Sequence, residues 1–261
     1  MRARSRLPGG RELDEVAWAD DSRAREHEPV IYARATANRP GIVRRSEVWW
    51  RERRFVESRF HAGGASRRRH VLARRGGEPV GYVTYRQRPS ITDGTYDGRV
   101  EIIELIGIDP RAEATLWRFV CAIDLFPHVG WWAAPVDDTL TWIVDDPRRV
   151  SRKRLDNLWL RVDDPGIALA ARRYPADGTL CFAIEDVTWD LVVRDGRGQC
   201  TKTSRAAELQ LGRAALGSLL LGGVSATELA RATLVRGDAA AITMADRLFA
   251  STVAPWCAEV F

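Results

Sequence analysis

The sequence predicts an α+β protein of two mixed domains divided near residue 150. Three observations carry this. Apolar residues make up 45% and charged residues 29% of 261 residues, the texture of a globular chain long enough for two ordinary cores. Residues 70–125 run hairpin, long strand, helix, while residues 158–249 run strands first and helices after, so each half mixes both element types in its own order.

Residues 1–11, with Pro8-Gly9-Gly10, read as a linker, and a first domain spans 12–150. From Asp14 to Arg25, Val16 and Trp18 among charged residues predict a modest amphipathic helix. After the Arg39-Pro40-Gly41 turn, Ser46 caps a predicted aromatic helix from Glu47 to Phe60. Gly63 to Ser66 form a loop, and His70–Arg74 with Val80–Arg86 form a hairpin about Gly76-Gly77. A strand from Arg99 to Ile108 follows; Asp109-Pro110 then open a helix from Arg111 to about Leu125, since Asp caps and Pro suits the first helical turn. Thr139–Val144 reads as a strand.

The second domain, 151–261, begins with a predicted short strand, Leu158–Val162, and a helix opened by Asp164-Pro165 that runs to Ala171. Thr179–Ile184 and Trp189–Val193 pair as a hairpin, closed by a turn at Asp195 to Gly198. Helical segments are expected over Ala206–Leu211 into Ala214–Leu221, over Ser225–Val235 and over Asp238–Phe249.

Composition excludes several classes. No stretch approaches the roughly 20 apolar residues that span a bilayer, and the basic start lacks the apolar run of a secretory signal. Cys121, Cys181, Cys200 and Cys257 are scattered, and no histidine falls at metal-ligand spacing, so no disulfide, metal or membrane is expected and a cytoplasmic location is. The net charge of +5 concentrates in residues 1–75, with 19 Arg against 10 Asp and Glu. Only Lys153 and Lys202 are lysines, and the arginine runs lack a nucleic-acid-binding pattern, so a solvated or subunit-contact face is expected and no nucleic acid.

The order of elements over Val100–Leu125 is that of the GNAT acetyltransferase core, where the strand-to-helix loop uses glycines to bring backbone N–H groups to the CoA pyrophosphate. Here that loop reads Asp109-Pro110-Arg111-Ala112-Glu113-Ala114-Thr115, with no glycine and a repelling glutamate. The domain is therefore expected to be a degenerate GNAT-like one with a mixed sheet and no cofactor site of its own. Arg74-Arg75-Gly76-Gly77 joins two strands and opens no helix, so it reads as a plain turn.

Several stretches in order resemble the enhanced intracellular survival (Eis) family. They are Ile31-Tyr32, Pro40-Gly41 with Arg44 and Trp50, Glu104-Leu105, Leu116-Trp117-Arg118, Asp124, Asp156 to Arg161, Cys200-Thr201, Ala206-Ala207-Glu208, Leu216 to Gly222 and the terminal Phe261. The resemblance implies a degenerate GNAT domain followed by a sterol-carrier-protein-2-like domain. It also implies hexameric assembly and acetylation of amines on aminoglycosides or protein lysines. Acetyl-CoA is expected to bind a further domain missing from this chain. By resemblance Trp50 would wall the amine pocket, Asp156 would pair with a cationic amine, and Glu259 would stand for a substrate-contacting glutamate shifted by one residue. The carboxylate of Phe261 would be the general base: a free α-carboxyl group has a pKa of about 3.5, and desolvation makes such a group more basic. The bland readings stay open: Trp50 as core, Asp156 as a turn or cap, and the tail as a frayed end. A rival reading is a non-catalytic lipid-binding or interaction module, with Leu216–Leu221 and Ile242–Phe249 lining a tunnel.

Overall fold

In the computed structural model, which describes residues 12–57 and 63–259, the Gly76-Gly77 pair turns the chain between two long strands. Both glycines hold positive φ (57° and 88°), which a two-residue hairpin loop of matching twist requires at both central positions. The strands are β2 (Arg69–Arg75) and β3 (Glu78–Arg88), with Arg75 opposite Glu78. They are the centre of one of two units into which the described residues divide. The first unit takes those up to Asn38, Ile42–Leu155 and those from Cys257 on; the second takes Arg39–Gly41 and Asp156–Trp256.

In the first unit β1 (Glu15–Ala19), β2, β3, β6 (Arg99–Gly107) and β7 (His128–Trp131) form a mixed sheet in that order, antiparallel except for the β6–β7 pair. A side hairpin, β4 (Ile91–Thr92) and β5 (Thr95–Tyr96), closes on Asp93-Gly94. Helix α1 (Asp21–Thr36), capped by Asp20, packs on β3 and β6. Helix α3 (Pro110–Cys121) buries Ala112, Leu116, Trp117 and Val120 against Val71, Val83, Tyr85 and Leu105. Its cap is Asp109, whose side chain accepts from the Ala112 N–H at 2.9 Å, as Asp-Pro predicts.

Three expectations in this unit are corrected. Asp14–Arg25 is not one helix: Glu15–Ala19 is an edge strand, because Val16 and Trp18 lie two apart and face Ala73 and Val71 across the ladder. The aromatic helix capped by Ser46 has regular turns only over α2 (Glu47–Trp49); it widens into a π-turn, Trp50–Arg54, and Phe55 to Glu57 are not helical, while 58–60 lie outside the described residues. Thr139–Val144 is not a strand but a short helix, α4 (Leu140–Ile143), started by the Asp138 carboxylate accepting from Leu140 N–H at 2.9 Å.

The second unit is a five-stranded sheet in the order β10-β9-β8-β11-β12. The meander β8 (Gly178–Ile184), β9 (Val187–Arg194) and β10 (Arg197–Lys202) is followed by two short strands. These are β11 (Leu209–Leu211), parallel to β8, and β12 (Val235–Gly237). Helices α5 (Pro165–Ala171), α6 (Arg213–Leu220), α7 (Ala226–Arg231) and α8 (Ala239–Phe249) accompany it, and Asp164, Ser225 and Asp238 cap three of them. Leu180, Phe182, Leu191, Leu216, Leu219 and Leu248 make its core. Leu209–Leu211 and Val235, expected in helices, are therefore sheet residues, held by ladder bonds that local propensity does not reveal.

Leu158–Val162 forms no strand; it runs extended against α6. A Cβ at Gly217 would lie 2.7 Å from the Leu160 carbonyl oxygen, so the helix must carry a glycine where this segment crosses it. The two sequence stretches Asp156–Val162 and Leu216–Gly222 are thus halves of one packing contact.

Candidate functional site

Glutamate in the middle of an apolar strand requires a buried partner, because a lone carboxylate in a core costs several kcal/mol. Glu104 of β6 is 1% exposed and receives Arg45 as a two-pronged fork, Nη1 to Oε2 at 3.0 Å and Nη2 to Oε1 at 2.7 Å. Arg54 reaches Oε2 at 2.8 Å, and the Tyr82 hydroxyl donates to the same oxygen. Burial alone would push the Glu104 carboxyl upward; the Arg54 and Arg45 guanidinium groups and these hydrogen bonds overcome it and hold it at about 2. Burial pushes the Tyr82 phenol well up, and the Glu104 charge adds to this, so it remains a donor.

Arg45 itself is enclosed. Its side chain has no exposed surface, and its guanidinium lies over the Tyr32 ring at 3.8 Å and the Trp50 ring at 4.7 Å. Its Nε donates to Glu259 Oε1 at 2.5 Å, and the other Glu259 oxygen accepts from the Trp49 indole at 3.1 Å. The π-turn makes this possible. Phe55, five residues after Trp50, stacks on it at 5.6 Å, leaving Trp49 and Arg54 to bracket the ion cluster. A second buried polar group lies on the same β2–β3 surface: His70 Nδ1 stands 2.6 Å from Glu28 Oε1, which also accepts from the Thr84 hydroxyl at 3.1 Å.

Of the residues singled out in the sequence, Trp50 and Glu259 are therefore brought together around Arg45. Trp50 is 7% exposed and packs on Tyr32 and Phe55; Glu259 is 5% exposed and both its oxygens are engaged. Asp156 is an exposed residue at the start of the second unit, and Phe261 lies outside the described residues. Arg45, Glu104 and Trp49 were missed as site residues, although Glu104 inside Ile102-Ile103-Glu104-Leu105-Ile106 carried the signal.

The degenerate cofactor loop is closed by its own charges. The helix α3 N-terminus is taken by the Asp109 side chain, and Arg75 bridges Asp109 (2.8 Å) and Asp14 (2.8 Å), with Arg111 on Asp14 at 2.8 Å. Hydrogen bonds from Arg75 above all hold the Asp109 carboxyl at about 2. A Cβ on Gly107 would come within 2.6 Å of Glu113 N, so strand and helix already touch where a pyrophosphate would enter. Two carboxylates and no open amide nest do not fit acetyl-CoA. Among the described residues no group of three or more His, Cys, Asp or Glu is placed to hold a metal ion, and no helix is long and apolar enough to cross a membrane. Leu216, Leu219, Leu248 and Phe249, from the helices considered for a tunnel, are core residues of the second unit.

Comparison with known proteins follows the same division. Residues 41–162 match the acetyltransferase (GNAT) domain and residues 151–258 the sterol carrier protein domain. An uncharacterized N-acetyltransferase of Streptomyces coelicolor is 35% identical over 268 residues, covering all of this chain and 65% of that protein. N-acetyltransferase Eis of Mycobacterium tuberculosis is 31% identical over 86% of this chain and 54% of its own length. The crystal structure of Eis1 from Mycobacterium abscessus superposes with a TM-score of 0.79 at 28% identity, over 98% of this chain and 65% of that one. A GCN5-related N-acetyltransferase from Anabaena variabilis shares the fold at 20% identity and a TM-score of 0.78. The chain thus spans less than two thirds of the length of these relatives.

Proposed function

We propose that the chain, similar to the GNAT N-acetyltransferases and to Eis, is an Eis-type protein that supplies the acceptor side of an acetyl-CoA-dependent N-acetyltransferase working in the cytoplasm on amines of polycationic substrates, aminoglycosides or protein lysines. The observation that supports this reading is the anchoring of Glu259, which is buried against Arg45 and Trp49. A tail held this way can present the Phe261 carboxylate as a base that takes the ammonium proton of the acceptor amine. Trp50 backs the tail through Arg45, and Asp156 offers an exposed carboxylate to a cationic substrate.

The acyl donor is held, on this reading, by the part of the relatives that this chain does not span. The 261-residue chain alone should then fail to bind acetyl-CoA. Isothermal titration is expected to show no binding at ligand concentrations up to 100 µM. A Kd tighter than that, about 5.5 kcal/mol, overturns the division of labour.

We further propose that the protein works as a homo-oligomer. The first unit exposes Trp132 and Trp142, the latter 84% accessible, and the second exposes Trp159; tryptophans so placed are typical of subunit contacts. Sedimentation velocity is expected to show an assembly, and a monomer at 50–100 µM, roughly the range in which weak interfaces populate, contradicts it.

A further inference from the structure

We infer that Arg45, Trp49 and Glu259 form a latch that fixes the C-terminal tail to the first unit, with Glu259 a positioning residue and not a substrate contact. The inference rests on the reading above only for what the latch serves; the latch itself is argued from charge and geometry.

Arg45 and Arg54 bring two positive charges into the interior, and Glu104 supplies one negative charge. Among the described ion pairs, Glu259 supplies the second negative charge of this cluster, and it arrives from 214 residues further along the chain. A buried guanidinium left without its share of counter-charge is costly, so the cluster selects the state in which the tail is docked. Geometry agrees. Glu104 takes both terminal nitrogens of the Arg45 fork, Glu259 meets Nε and Nη2 along its other edge, and the mutually perpendicular Tyr32 and Trp50 rings wall the group on adjacent sides. Trp49 takes the second Glu259 oxygen. With both oxygens used inside the protein, Glu259 acts on this inference as a positioning residue and not as a contact for a cationic substrate. Cys257 and Ala258 are buried beside it.

Protection of the terminus measures the latch without any acetyl transfer. The chain is exposed to carboxypeptidase A, and loss of Phe261 and Val260 is followed by mass spectrometry. Glu259→Ala is expected to be trimmed at least ten-fold faster than the natural chain. Glu259→Gln, which keeps an oxygen for Arg45 and Trp49, should fall between the two. Trp49→Phe removes the indole donor from a half-buried ring, and it should also be trimmed faster at an unchanged far-ultraviolet circular dichroism spectrum. Trimming of Glu259→Ala and Trp49→Phe at the natural rate, or loss of the Gln rescue, overturns the latch. Inactivity of the terminal carboxylate would instead count against the proposed function and leave the trimming result standing.

Discussion

One residue added beyond Phe261 is expected to cut acetyl transfer by a factor of 100 or more in a domain-complete enzyme, in which this chain is joined to the part its Streptomyces coelicolor relative carries in addition. The size follows from what a positioned base contributes, typically 10²–10⁴-fold. An extra residue turns the α-carboxylate into a neutral amide and moves the new carboxylate roughly 3.5 Å away, too far for proton transfer to the same amine. The latch residues are untouched, so the thermal midpoint should stay where it was. Turnover of the extended enzyme at the natural rate would remove the carboxylate from the mechanism.

Arg45→Met is expected to destabilise the first unit by about 3–5 kcal/mol, the cost of leaving buried carboxylates without their cation. Glu104 retains Arg54 and Tyr82, but Glu259 loses its 2.5 Å contact with the Arg45 guanidinium. The measurement is amide hydrogen exchange at β3 and β6, which reports this unit alone. Combining Arg45→Met with Glu259→Gln should recover part of the loss, because the second change removes an orphaned charge; simple additivity would show that the two groups do not interact. Acid should act in the same direction. A carboxyl group held at about 2 in the fold stabilises it fully above its ordinary value near 4.5, and that contribution disappears as the pH falls through 2.

Much of the architecture was legible because it is written in local chemistry. Gly76-Gly77 and Asp195-Gly196 set hairpins, and Ser46, Asp109, Asp164, Ser225 and Asp238 cap helices where their side chains predict. Elements made by distant pairing were not. Glu15–Ala19 exposes both Val16 and Trp18, so no burial pattern marks it, and Leu209–Leu211 is a strand only because β8 and β12 flank it. The Thr139–Val144 segment has strand-forming residues but follows Asp138, whose carboxylate accepts from the Leu140 N–H and turns the chain into a helix. At the site, resemblance drew attention to Trp50 and Glu259, and the ion that joins them, Arg45, looked like one more arginine in an arginine-rich stretch. Its distinction is that Glu104 and Glu259 converge on it, and convergence is a property of the fold.

The 214-residue separation of Arg45 from Glu259 also sets a clock on biosynthesis. At about 5–20 residues per second, Glu259 is made roughly 10–40 s after Arg45, and until then the arginine pair faces a single carboxylate. The sheet of the first unit can form on the ribosome, but its ion cluster lacks this carboxylate until Glu259 has been made. A chain that stops short of Glu259 lacks this counter-charge, so completion of the first unit depends on a residue made only after the whole second unit has been synthesised.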